Sequence, residues 1–119
     1  MNNKVITITV VMFVLILAGS IIYARTTGAV VKDIPSEAEA RWIGEHSVLY
    51  AQAGCSHCIE QEKLFGDNYK YLTVVDCLED IQACILAGIE GTPTWIINGE
   101  KYVGVQSIEK LKELTDYQE

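Results

Sequence analysis

Cys55 and Cys58 stand two residues apart in the stretch Ala-Gly-Cys-Ser-His-Cys-Ile-Glu, residues 53–60. A Cys-x-x-Cys pair can exchange disulfides, supply half of a zinc site, or form a plain staple. In the first case one thiolate attacks and the second thiol resolves the mixed disulfide. His57, between the two cysteines, can donate to the Cys55 sulfur and lower that thiol's pKa; the plainer reading is an exposed histidine at a helix start. His46 has no such neighbour and is read as solvent-facing. Cys77 and Cys84 enclose six residues, which is not the usual knuckle spacing for zinc. They are read first as a structural disulfide closing a short loop, with an exchanging electron-relay pair and a four-cysteine zinc site as alternatives.

Elements on either side must present that pair. "SVLYAQAG" is a short apolar run ending in small residues, as a central strand would be if it delivered Cys55 at its carboxyl end. From Ser56 to Phe65 no breaker interrupts a helix, which Gly66 stops, with Cys58, Ile59, Leu64 and Phe65 expected inward. Cys55 then lies at a helix amino terminus, where free N–H groups and the dipole favour a thiolate. That assigns attack to Cys55 and resolution to Cys58.

Before the strand, Ser36 and Glu39 have the capping-box spacing of a helix with Ala38, Trp42 and Ile43 on one side. "YLTVVDC" is β-rich and predicts a second strand. A helix from Asp80 to Ala87, ended by Gly88, places Ile81, Cys84 and Ile85 on one face. Two β-rich runs joined by Asn98-Gly99 predict a type I′ hairpin. Ser107 caps a final helix carrying Ile108, Leu111 and Leu114. With right-handed crossovers this order predicts an α/β fold: a four-stranded mixed sheet with flanking helices. Trp42, Trp95, Tyr50 and Tyr102 read as core and rim residues of that fold.

The 119 residues leave room for one such domain, preceded by an uncharged run from Val5 to Tyr23. That run approaches the roughly 20 residues a bilayer requires, and it exceeds a signal-peptide core of about 7–15. The expected organisation is a membrane anchor at 1–24, a tether at 25–35 and a folded domain at 36–119, with a cleaved signal as the competing reading. Flanking charge does not orient the anchor, since Lys4 faces Arg25 and Lys32. The four cysteines suit an oxidising compartment, so the expected location is a single-pass cell-membrane protein with its carboxy-terminal domain outside the cytoplasm. All sixteen acidic residues follow the apolar run and the net charge is −7, which argues against nucleic acid as a partner.

Taken together, the Cys-x-x-Cys at the first strand-to-helix turn, the two later cysteines, and Gly-Thr-Pro-Thr-Trp followed by Ile-Asn-Gly and Gly-Val-Gln-Ser resemble a thioredoxin-like domain. The type is the one associated with bacterial and archaeal vitamin K epoxide reductase homologues. The resemblance covers nearly everything from Ser36 onward. It implies a cis Pro93 beside Cys55, with the Thr92 backbone available to an extended substrate. It also implies a thiol–disulfide oxidoreductase that needs no cofactor or metal and passes oxidising equivalents from a quinone-linked membrane enzyme to thiols of secreted or membrane proteins. A reductase of the same compartment, or a non-catalytic tethered module with structural disulfides or zinc, are the alternatives. Gly54 and Ser56 stand where that family usually has Trp and often Pro. Many thioredoxins also carry a buried acid six residues before the first cysteine, where this chain has Leu49, so proton transfer is expected through water or Glu62.

Overall fold

The structure is a computed structural model that describes residues 2–26 and 34–119, with side chains for 2–19 and 34–119. Two compact units result, Met1–Asp33 and Ile34–Glu119. The first contains helix α1, Asn3–Thr26, whose described apolar side chains are exposed, Phe13 and Leu15 among them. Among the described residues no helix is long and apolar enough to cross a membrane. The expected transmembrane helix is therefore not shown. Most of the expected tether at 25–35 lies outside the described residues.

The second unit runs α2 (Glu37–His46), β1 (Ser47–Ala51), α3 (Ser56–Phe65), a 3-10 segment (Gly66–Tyr71), β2 (Val74–Asp76), α4 (Ile81–Leu86), β3 (Thr94–Ile97), β4 (Glu100–Val103) and α5 (Ile108–Leu114). The sheet order is β2-β1-β3-β4, with β1 parallel to β2 and antiparallel to β3. Local chemistry explains most boundaries. Ser36 and Glu39 form both halves of a capping box on α2, and Ser107 accepts from the Lys110 N–H to start α5. Asn98 and Gly99 have φ of 52° and 80°, the two positive values a type I′ turn requires.

Ile43, Leu49, Phe65, Trp95, Ile97 and Leu111 are fully or almost fully buried and make the core. Long-range polar contacts tie the layers together. The Trp42 indole N–H donates to the Thr115 carbonyl at 2.9 Å, joining α2 to the end of α5. Lys112 on α5 pairs with Glu39 on α2.

Three helix faces differ from expectation. On α2 the buried positions are Ala40, Ile43 and Gly44, while Ala38 is exposed. Gly44 is needed because a Cβ there would collide with the Tyr71 carbonyl at the end of the 3-10 segment. On α3, Ile59 is 45% exposed, and Gln61 takes the inward place between Cys58 and Leu64. On α4 only Cys84 is buried, while Ile81 and Ile85 are 59% and 64% exposed. This short helix adjoins β2, an edge strand of three residues, so little sheet surface is available to cover it.

Cys77 and Cys84 are joined by a disulfide with S–S 2.03 Å, pinning α4 to the end of β2. Closure of so short a loop is worth about 2–3 kcal/mol in the chain-entropy description. With one buried side chain, α4 has little else to hold it. Replacing both cysteines by alanine is expected to cost about 2–3 kcal/mol in urea denaturation and to remove amide protection first from 81–86. A loss below about 1 kcal/mol, or protection retained in α4, would show that other contacts hold this helix.

Candidate active site

β1 ends at Ala51, and Gly54 turns the chain with φ 80° so that Cys55 becomes the N-cap of α3. In that position the Cys55 sulfur does what a capping oxygen would do, accepting from the Cys58 N–H at 3.2 Å. Antiparallel pairing sets Tyr50 opposite Thr94, which brings the loop before β3 beside the end of β1. The Thr92-Pro93 peptide in that loop is cis and Pro93 is fully buried. The Cys55 Sγ donates to the Thr92 carbonyl at 3.5 Å. Five of the residues singled out in the sequence, Cys55, His57, Cys58, Thr92 and Pro93, thus meet at one end of the sheet.

The two cysteines are free thiols in unlike surroundings: Cys55 is half-buried, and Cys58 is 7% exposed. Burial acts to raise the Cys55 pKa, but interactions with the Cys58 thiol, with Thr92 and with the backbone N–H groups of Cys58 and His57 outweigh it and leave the thiol more acidic than usual. Burial pushes the Cys58 thiol up, and its interaction with Cys55 pushes in the same direction. The accessible sulfur is therefore the better nucleophile, and the covered one stays protonated until it is needed.

The His57 ring does not take the part expected for it. It is 72% exposed and its Nδ1 lies 3.4 Å from a Glu60 carboxylate oxygen. As the second helical residue, His57 turns its N–H toward the capping sulfur while its side chain points outward. Replacing His57 by alanine keeps that N–H, so the pH profile of Cys55 alkylation by iodoacetamide is expected to overlay that of the wild type. A clear rise in the thiol's pKa would restore a role for the ring. His46 is exposed as expected, stacked on Trp42 with ring centroids 3.9 Å apart.

Beside Thr92 the site opens onto a groove of about 260 Å³ whose walls include Gln52, Ile81, Ile85 and both disulfide-bonded cysteines. Sequence reasoning passed over Gln61, which is fully buried behind the pair. Its Oε1 accepts from the Trp95 indole N–H at 3.0 Å and from the Gln106 N–H at 2.7 Å, while its Nε2 donates to the Gln106 carbonyl at 3.0 Å. The only hint in the sequence was its place three residues after Cys58 on the inward stripe.

No protein-family profile matches the chain. It is 38% identical over 78 residues to the thiol-disulfide oxidoreductase LTO1 of Arabidopsis thaliana. That match covers 58% of this chain and spans about a fifth (21%) of the relative's length. A crystal structure of a mutant of the thioredoxin-like protein BC3987 is 30% identical and covers 57% of this chain and 96% of its own, with a TM-score of 0.44. A cysteine-capped helix at the end of a central strand, a cis-proline loop against it, and the sheet order β2-β1-β3-β4 are the thioredoxin-like arrangement. Over those 78 residues the chain is similar to a thiol–disulfide oxidoreductase, and its own fold and site are thioredoxin-like.

Proposed function

We propose that the chain is a membrane-anchored, extracytoplasmic thiol–disulfide oxidoreductase working through its Cys-Ser-His-Cys centre and passing oxidising equivalents to thiols of secreted or membrane proteins. The observation that carries the exchange chemistry is the Cys55 sulfur at the cap of α3, 3.2 Å from the Cys58 N–H and against the Thr92 carbonyl. A substrate thiolate attacks the Cys55–Cys58 disulfide at Cys55, and Cys58 leaves. A second substrate thiol then displaces Cys55, completing the substrate's disulfide. The Cys77–Cys84 bond speaks against a four-cysteine zinc module, because those two sulfurs are already paired.

Anchoring rests on the uncharged stretch from Val5 to Tyr23. The hydroxyls of Thr7 and Thr9 fold back onto carbonyls of their own helix, as a lipid setting would demand. The source of oxidant, a quinone-linked enzyme of the vitamin K epoxide reductase type, rests on the sequence resemblance. The name of the plant relative supports exchange chemistry, and it leaves direction open.

Direction follows from thiolate stabilisation: whatever lowers the Cys55 pKa favours the dithiol, and a favoured dithiol makes a stronger oxidant. The deciding measurement is the equilibrium potential of the full chain in detergent against glutathione. A value between about −120 and −200 mV is expected, and a value at or below about −270 mV would establish a reductase. Extraction of the intact chain by alkaline carbonate would rule out the anchor.

A further inference from the structure

Cys58 is nearly enclosed, and burial keeps its thiol protonated, so the resolving step has to remove a proton. The position under β1, six residues before Cys55, is taken by Leu49, which is fully buried. A cavity of about 310 Å³ lies beside Cys58 instead, and its walls include Ala51, Gln52, Cys58, Glu62, Tyr69 and Asp76. It has room for several waters at about 30 Å³ each, with polar groups to hold them.

Its titratable groups come from three elements: Cys58 and Glu62 from α3, Tyr69 from the 3-10 segment, Asp76 from the end of β2. Cys55 faces Cys58 from the cap of the same helix. Strand register explains Asp76, because β1 and β2 are parallel and Ala51 pairs with Asp76 next to the turn that carries Cys55. One Asp76 oxygen is held by the Leu78 N–H at 2.8 Å, which fixes the carboxylate. Tyr69 reports how closely the groups act on one another. Burial first, then the charges of Glu62, Cys58 and Asp76, push its hydroxyl up to about 12, so it remains a neutral phenol able to orient water.

We propose that this cavity is the proton exit of Cys58, with Asp76 and Glu62 as the carboxylates that receive the proton through its water. The inference rests on the exchange reading above and assigns it a second set of residues. In the reducing half-reaction, Cys55 is bound to a substrate sulfur. The Cys58 S–H bond breaks, its proton passes through water to a carboxylate, and its sulfur attacks Cys55. The Cys55–Cys58 bond forms, and the substrate sulfur leaves with the electron pair of the broken mixed disulfide. The protein dithiol is oxidised by two electrons and the substrate disulfide is reduced by two. In the oxidising direction the same carboxylates return the proton as Cys58 departs.

An aromatic disulfide whose released thiolate absorbs visible light separates the steps, the first release reporting attack by Cys55 and the second resolution by Cys58. With the full chain in detergent, the Glu62→Gln/Asp76→Asn double variant is expected to leave the first release unchanged. Its second release should slow by about tenfold or more near neutral pH, with the gap closing as alkali ionises Cys58 unaided. Glu62→Gln alone, at an exposed position, is expected to show a smaller slowing with the same pH form. An unchanged second release, equal slowing of both releases, or slowing by one factor at every pH would overturn the proton exit. A wild type with a first release and no second would instead sink the exchange reading itself.

Discussion

Cys58→Ser is expected to accumulate a stable mixed disulfide with substrate through Cys55, whereas Cys55→Ser traps nothing and loses exchange activity by about 10³-fold or more. The asymmetry comes from position on one turn of helix. Cys55, at the cap, is the more accessible sulfur and is more acidic than an ordinary thiol. Cys58 is buried one turn in and its thiol is less acidic than usual. Removing the resolving thiol leaves the intermediate with no intramolecular route out, while removing the attacking thiol prevents it from forming. Non-reducing electrophoresis of each variant after acid quenching reads the result. Equal trapping by both variants would overturn the order of attack.

Gln61→Leu is expected to destabilise the fold by about 3–6 kcal/mol, although it exchanges one side chain for another of similar size. The amide makes three hydrogen bonds in a fully buried place, to the Trp95 indole and to both backbone groups of Gln106. An apolar replacement leaves all three partners unpaired, each at about 1–3 kcal/mol. For a domain with a total stability of about 5–15 kcal/mol, that is a large share. Gln61→Glu should show a pH signature. Burial would raise that acid's pKa in the folded state above its unfolded value of about 4.3, so the folded state binds the proton more tightly. Stability is then best below about pH 4.3 and falls as pH rises through the raised value. Urea denaturation across pH measures both effects, and a Gln61→Leu cost under about 1 kcal/mol would mean that water or rearrangement satisfies the three groups. Because Gln61 lies on the helix that carries Cys55 and Cys58, its loss is also expected to slow exchange.

What could be read from the residues alone was set by short-range geometry. The capping box at Ser36 and Glu39, the Asn98-Gly99 turn, the Ser107 cap and the helix stops at Gly66 and Gly88 each depend on a few consecutive backbone angles. The place of Cys55 at the start of a ten-residue helix is local in the same sense. Which residues lie inside depends on neighbours distant in sequence, and there expectation failed. Ile59, Ile81 and Ile85 are apolar yet exposed, because among the described residues no other element lies over those faces. Gln61 is polar yet enclosed, because Trp95 and Gln106, 34 and 45 residues away, complete its hydrogen bonds. The His57 ring misses the sulfur for a reason of direction, since a helix start aims its N–H groups at the cap and its side chains outward. The surroundings of Cys58 were beyond local reading altogether: Tyr69 and Asp76 reach that cavity only because a 3-10 segment and a parallel strand fold back beside α3. Residue type and spacing thus determined that this chain carries a paired-thiol centre at a helix start, while long-range packing decided which groups surround its buried sulfur, because burial and charge act through space and not along the chain.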